Sequence, residues 1–460
     1  MRTKITLSIL LILAMASCTK WNYGDGHDDN DQDDDIIYED VEVDEGINSG
    51  KPKIFLSPNE IIVKYDPSVT PEERDIIRND YPLIAPPKSC NCGDTNIELW
   101  TFDPDIDETE IEGVVNGLKR RSPRGKTRGE RSFDIQLTDV GPYTTQGQGV
   151  DGEEEPLLDN PGAASLNIAV IDTGLDFYRY LFEDRPKFLF PSGTFSDCYP
   201  TDTGWNFENN SGEIVDGNGH GTYITKIITD VLDEKGLDYQ ILPLKVFNNE
   251  GRGSYWDVIC ALGYIKNIND KGGEINIVNA SFGGSMPRSF FEEADSGDTA
   301  HIFTELMDDL KNQGTLVVTS AGNDMTDNDN GPEGDFITSF ESANILAVGG
   351  YEDDGIRPVP LPVRVALHPE SNFGVKSIDV ALAYNDYMLT LDTSESSRKT
   401  RVRLHGTSYA AAAMSGLAGV ISEEAGGLQA ERLKGLILRL AVESSELNGK
   451  IKDGKVILRD

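Results

Sequence analysis

From about residue 160 onward, short unbroken runs of Val, Ile, Leu and Ala alternate with stretches of helical period. "NIAVIDTG", "QILPLKVF", "INIVNASFGG", "TLVVTSAGN" and "NILAVGG" are separated by segments such as "GTYITKIITDVL" and "HIFTELMDDLKNQG". An apolar run without polar alternation is a strand buried on both faces, so the pattern predicts an α/β fold whose parallel sheet carries helices on both faces. In sheets of this kind the site lies at the carboxyl ends of the strands. Between Lys51 and about Asp139 the pattern is different. "EIIVKY" alternates like a strand, "TPEERDIIRND" reads as a capped helix with Pro at its first position, "IELWTF" is a second strand and "DETEIEGVVNGLKRR" a second helix. This predicts a small α/β unit ending in a basic loop, "KRRSPRGKTRGER" (Lys119 to Arg131), exposed and easily cut.

Charge narrows the partners. The 460 residues hold 79 acidic against 41 basic side chains, which disfavours nucleic acid and anionic membrane surfaces. Residues 25 to 45, "DGHDDNDQDDDIIYEDVEVDE", contain no Lys or Arg and read as a solvated spacer, without the ligand spacing of a calcium loop. Ahead of them, Arg2, Lys4 and the run "ITLSILLILAMA" have the form of an export signal. "MASC" resembles a bacterial lipobox, which makes Cys18 the candidate lipidation site and predicts an exported protein of the bacterial cell envelope, held to the membrane only by that anchor. The expected organisation is a signal at 1–17, an acidic disordered linker at 18–50, the small α/β unit at 51–142 and the main domain at 143–460.

Four further cysteines remain. In an oxidising compartment Cys90 and Cys92 of "SCNCGD", together with Cys198 and Cys260, could form disulfides, with the pairing left open. Cys260 falls on the apolar side of the helix pattern "SYWDVICALGYIKN", where a buried free thiol is the commoner arrangement. No zinc spacing is present.

Several strands end in polar or Gly-rich signatures. Asp172 follows the apolar run of "IAVIDTGLD"; His220 sits between glycines in "DGNGHGT"; Asn323 follows a strand in "SAGND"; Ser408 opens the helical stretch "HGTSYAAAAMSGLAG". Each has a plain structural reading: a helix cap for Ser408, a tight turn for His220, an Asn turn for Asn323. "DTG" recurs at Asp202, which raises an aspartic protease, but that copy lacks a preceding apolar strand and lies too near the first for two lobes.

Together the stretches say more. "VIDTG", "GNGHGT", "NASFGG", "SAGND", "SNFG" and "HGTSYAA" occur in the order found in the subtilisin-like serine proteases, which the chain from about residue 143 resembles. The resemblance implies a subtilisin-like fold and a serine endopeptidase with Ser408 as nucleophile, His220 as general base and Asp172 as its orienting acid. It further implies that Asn323 donates to the oxyanion. Ser281, Phe282 and Gly283 would line one wall of the substrate cleft and Ser320, Ala321 and Gly322 the other, with an extended protein or peptide segment bound between them. No cofactor or metal is needed for this chemistry, and structural calcium is left open. The small unit resembles the propeptides of the family and would act as an intramolecular inhibitor, with a cut in or after the basic loop releasing the catalytic domain from the anchor.

There are departures from the family's pattern. Ala412 and Ala413 stand where Pro and His are usual, Tyr223 and Ile224 where His and Val are usual, and "VALAY" (Val380 to Tyr384) replaces an Ala-Pro-Gly turn. His405 is too close to Ser408 in sequence to serve as its base and reads as cleft wall or packing. The rival functions are an inactive peptide-binding lipoprotein of the same fold, and an esterase, which would need a GxSxG elbow that the chain lacks. The acidic stretch "DMTDNDNGPEGD" after Asn323 has the composition to put a carboxylate in a specificity pocket favouring Lys or Arg, with no alignment to say which residue.

Overall fold

The computed structural model describes residues 20–21, 37–44, 53–90, 92, 96–121, 126–137, 166–176, 190, 198–199, 204–292, 301–352, 363–392 and 398–459. The signal expected at 1–17 and Cys18 lie outside them. No described helix is long and apolar enough to cross a membrane.

The sheet predicted from the apolar runs is present. Its nine strands run Val442–Glu443, Lys455–Val456, Val380–Ala383, Ile345–Tyr351, Leu316–Ser320, Ile277–Ala280, Leu166–Asp172, Tyr239–Lys245 and Trp205–Asn206 in spatial order. All neighbours pair in parallel except the edge strand Val442–Glu443. Successive side chains of a strand point to opposite faces. Leu166, Ile168 and Val170 accordingly enter a core shared with the helices His220–Glu234 and Thr407–Glu424. Ala169 and Ile171 enter a second core with the helices Tyr255–Asp270 and Ile302–Asn312.

The N-terminal unit is built on the strands Lys53–Tyr65, Ile97–Thr101 and Thr127–Gln136, covered by the helices Pro71–Asn79 and Glu108–Arg121. Thr70 and Glu73 cap the first helix reciprocally and Pro71 opens it, as the sequence suggests. The described part of the basic stretch is regular structure, and its residues 122–125 lie outside the described residues. Lys119 to Arg121 close a helix and Thr127 onward is a strand. Its charges conceal a period of two: Thr127, Gly129, Arg131, Phe133 and Ile135 are buried in alternation along it. Buried Arg131 is held by Glu112 at 2.9 Å and by the carbonyl of Ser57.

This unit shares a sheet with the rest of the chain. The order is Arg252–Ser254, Thr127–Gln136, Lys53–Tyr65, Ser285–Pro287, Glu333–Asp335. Phe133 stacks on Tyr255 with ring centroids 4.4 Å apart. Glu130 accepts from the Tyr255 hydroxyl and from the backbone N–H of Ile302, at the positive end of the helix Ile302–Asn312. Glu305 of that helix pairs with Lys64 and Arg128.

Two disulfides cross the same boundary, Cys90–Cys260 and Cys92–Cys198. Cys260 is therefore not a free thiol: its apolar helix face packs against the loop that carries Cys90, so burial and pairing coincide. Part of the expected disordered linker is also ordered. Ile37–Asp44 forms a strand parallel to Arg398–His405, with Asp40 opposite Arg401, Glu42 opposite Arg403 and Asp44 opposite His405. An acidic segment cannot bury a core of its own, yet this one finds backbone partners along Arg398–His405, which lies between it and the strand Tyr387–Asp392.

Candidate active site

Asp172 is the last residue of the strand Leu166–Asp172 and is 1% exposed. Its Oδ1 accepts the N–H of Thr173 at 2.7 Å. His220 is the first residue of its helix, and its Nδ1 stands 2.8 and 2.9 Å from the two oxygens of Asp172. A carboxylate only accepts, so Nδ1 carries the proton and Nε2, on the opposite edge of the ring, is the basic nitrogen.

The turn before His220 explains its glycines. Gly219 caps the helix at φ 106°, in the left-handed region. A Cβ on Gly221 would lie 2.5 Å from the carbonyl oxygen of Gly174 and 3.0 Å from the Cβ of Asp172. Thr173 Oγ1 accepts the N–H of Gly221 at 2.8 Å, so the "DTG" and "GHGT" stretches lock together. Asp216, passed over in the sequence, holds the turn from below: Oδ1 accepts from the N–H groups of Asn218 and Gly219, and Oδ2 from the N–H and hydroxyl of Thr222. The signal for it was an Asp four residues before a helix-opening His. Lys245 was missed as well. Its buried ammonium donates to the carbonyl of Thr173, and burial lowers its pKa while Asp216, Glu208 and Asp172 raise it.

Ser408 is the second residue of the helix Thr407–Glu424, whose N-terminus has Gly406 as cap and no side-chain cap bond. The capping reading of Ser408 thus fails. Its first-turn position puts it where unpaired backbone N–H groups favour negative charge. The residues around it are pinned from three sides. Thr407 donates its N–H and its hydroxyl to the carboxamide oxygen of Asn323, at 2.9 and 2.8 Å. The hydroxyl of Thr407 also accepts the N–H of Gly322 at 3.2 Å. Ser281 Oγ donates to the carbonyl of Ser408 at 3.1 Å and lies 2.9 Å from Asn279 Oδ1. Tyr409, the next residue, brings its ring within 6.1 Å of the His220 ring.

Ser281, Phe282 and Gly283 follow the strand Ile277–Ala280, while Ser320, Ala321 and Gly322 end and follow the neighbouring strand Leu316–Ser320. Asn328 and Asn372 support the second of these segments: Asn328 Nδ2 donates to the carbonyl of Ala321, and Asn372 Oδ1 accepts from Asp324 and Thr326. His405 lies on the strand Arg398–His405 with Nε2 3.3 Å from a Glu42 carboxylate oxygen. Among the described residues no group of three or more His, Cys, Asp or Glu is placed to hold a metal ion.

A family model described as the subtilase family matches residues 164–454. The chain belongs to the subtilase family. Among curated proteins, this subtilase is similar to a subtilisin-like protease of Coccidioides posadasii (28% identical over 154 residues, 33% of this chain and 35% of that protein). It is also similar to a cuticle-degrading protease of Metarhizium anisopliae (26% over 174 residues, 37% of each) and to proteinase R of Parengyodontium album (24% over 237 residues, 50% and 48%). The chain spans half or less of the length of these relatives. A solved structure of a cold-adapted subtilisin-like serine proteinase aligns with a TM-score of 0.45 and 18% identity, covering 67% of this chain and 96% of that one. The curated relatives are fungal proteases, and this overturns the expected placement as a lipoprotein of a bacterial cell envelope; what they support is export.

Proposed function

We propose that this subtilase is a serine endopeptidase in which Ser408, His220 and Asp172 act as the triad. The observation that carries the reading is the buried contact of His220 Nδ1 with both oxygens of Asp172 at 2.8 and 2.9 Å, which fixes the tautomer a general base needs. Ser408 attacks the scissile carbonyl as Nε2 takes its proton. The imidazolium, stabilised by Asp172, then returns that proton to the leaving amine, and water hydrolyses the acyl-enzyme. With its oxygen held by Thr407, Asn323 directs its NH2 as oxyanion donor, beside the N–H groups of the helix start.

The substrates are protein or peptide segments in extended form, lying between Ser281–Gly283 and Ser320–Gly322. The N-terminal unit acts as an inhibitor of the same cleft. Asp134–Gln136 pairs antiparallel with Arg252–Ser254, and Leu137 donates its N–H to the carbonyl of Gly251 at 2.9 Å. A Cβ on Gly251 would be 3.3 Å from Leu137 Cβ and 3.4 Å from Asn218 Nδ2, two residues before His220. An added strand that ends beside the base is the placement of a bound peptide.

The test is labelling by a fluorophosphonate probe. Ser408 should be modified in the wild type, the label should vanish in Ser408→Ala, and peptide hydrolysis should vanish with it. A wild type that neither labels nor hydrolyses would leave the inactive peptide-binding alternative.

A further inference from the structure

The acidic stretch after Asn323 ends at Asp335, the last residue of the strand Glu333–Asp335, which pairs antiparallel with Ser285–Pro287. Its carboxylate reaches back between the two proposed walls of the cleft. A Cβ on Gly283 would lie 2.7 and 2.8 Å from its two oxygens, and a Cβ on Gly322 would lie 3.4 Å from Oδ2. Both glycines adjoin residues that hold the start of the Ser408 helix: Ser281 donates to the Ser408 carbonyl, and Gly322 donates to Thr407. The carboxylate thus stands behind the place where the side chain next to the attacked carbonyl must enter. Having no side chain, Gly283 lets the Asp335 carboxylate come up to the cleft wall, while the corresponding space at Gly322 is taken chiefly by the Asn372 amide.

Asp335 is 4% exposed. Its hydrogen bonds are from the N–H of Gly284 at 3.0 Å and the hydroxyl of Thr338 at 3.4 Å. Among the described residues no Lys, Arg or His neutralises it. Burial first, and then the carboxylate of Asp324, push its pKa well above the usual range. A structural buried carboxylate is ordinarily paired with a cation, because an unpaired one costs several kcal/mol. Here the other charge that acts on it is a second acid, Asp324. That is the chemistry of a pocket waiting for a cationic ligand, which would form charge-assisted hydrogen bonds with a group already desolvated.

We propose that Asp335 is the specificity-determining carboxylate of this cleft, and that the substrate residue whose carbonyl Ser408 attacks is Lys or Arg. The inference rests on the peptidase reading. The long aliphatic stem of either residue reaches past Gly283, and the charged head meets Asp335. The segment 138–165 of this chain contains no Lys or Arg, so the same specificity spares the connection between the N-terminal unit and the main sheet.

The experiment uses the full chain, as purified and after cutting at a protease site introduced between Leu137 and Leu166, with fluorogenic peptides that differ only at the residue before the scissile bond. Lys and Arg peptides should exceed Leu and Phe peptides in kcat/KM by at least tenfold, and benzamidine should compete with them. Asp335→Asn should lower kcat/KM for the Lys and Arg peptides by about a hundredfold, the scale of losing one partner of a buried charge pair, while Leu and Phe peptides change less than threefold. A wild type that labels with fluorophosphonate but prefers uncharged residues overturns the inference and leaves the peptidase reading intact. So does an Asp335→Asn protein that loses all peptides equally while still labelling. If Asp335→Asn fails to fold, the wild-type profile and benzamidine competition decide. Absence of labelling in the wild type defeats the peptidase reading itself.

Discussion

Thr407 gives both of its donors, backbone and hydroxyl, to a single oxygen of Asn323. The two residues lie 84 positions apart, and the bond pair couples the loop after one strand to the residue just ahead of Ser408. An amide whose oxygen is fixed has its nitrogen fixed too. Thr407→Val removes the hydroxyl bond and the partner of the Gly322 N–H, leaving only the backbone bond. Turnover should fall about tenfold with little change in KM, as expected for one hydrogen bond. Asn323→Ala should cost about a hundred- to a thousandfold. Steady-state kinetics of both variants checks the order; a larger loss in Thr407→Val than in Asn323→Ala would contradict it.

Asp172→Asn presents an NH2 group where Nδ1–H now finds an acceptor, and so favours the wrong tautomer of His220. Activity near neutral pH should drop by about ten-thousandfold. Fluorophosphonate labelling of Ser408 should slow in parallel, while the melting temperature changes far less than the rate.

Gly221→Ala tests the close approach of two chain segments. The added methyl would collide with backbone at Gly174, which cannot yield as a flexible side chain would. The helix start must move away from Asp172, lengthening the His220 contact. Peptidase activity should be lost while far-UV circular dichroism stays native.

Much of this was readable from residues alone. The strands at Leu166–Asp172, Ile277–Ala280 and Leu316–Ser320 are dominated by Val, Ile, Leu and Ala and buried throughout. His220 stands out because glycines flank it where backbones touch, and Asp172 because it ends an apolar run two residues before Gly174. The strand Thr127–Gln136 was hidden because Arg128 and Glu130 find partners across a boundary that sequence does not reveal, and Arg131 finds Glu112 within its own unit. Cysteine pairing was hidden for a combinatorial reason: four thiols allow three pairings, and only the fold selects one. Lys245 and Asp335 make contacts distant in the chain and their types are unremarkable where they stand, whereas Asp216 holds a turn of its own neighbours.

Asp257 supplies a pH prediction. It lies in the first turn of the helix Tyr255–Asp270, accepts the Ser254 hydroxyl at 2.7 Å, and burial pushes its pKa up to about 7. The folded state therefore binds this proton more tightly than the unfolded chain, whose Asp titrates near 4. Its contribution favours folding at low pH and is lost as pH rises from about 4 through 7, because ionisation then opposes burial. Asp257→Asn keeps an acceptor without the charge. It should raise the melting temperature relative to wild type at pH 8 and lose that advantage at pH 4, measured by calorimetry at both values.

The two disulfides make a prediction about fragments. Cys90–Cys260 and Cys92–Cys198 both join the N-terminal unit to the body of the chain. After cutting at a site introduced between Leu137 and Leu166, the protein should migrate as one species without reductant and as two with it. Cys198→Ser alone should leave a single non-reduced species, since Cys90–Cys260 remains; Cys198→Ser with Cys260→Ser should release both fragments.

If the N-terminal unit is the inhibitor proposed above, the two disulfides make cutting the peptide chain and vacating the cleft separate events in this molecule. An inhibitor held by a covalent link meets its target at a local concentration set by the span of the link, on the order of millimolar for a short one. Dilution does not lower that figure, and no partner diffuses away to make the change irreversible. Occupancy of the cleft then becomes a contest at fixed stoichiometry: a substrate gains entry by outcompeting a resident strand that returns whenever the substrate leaves.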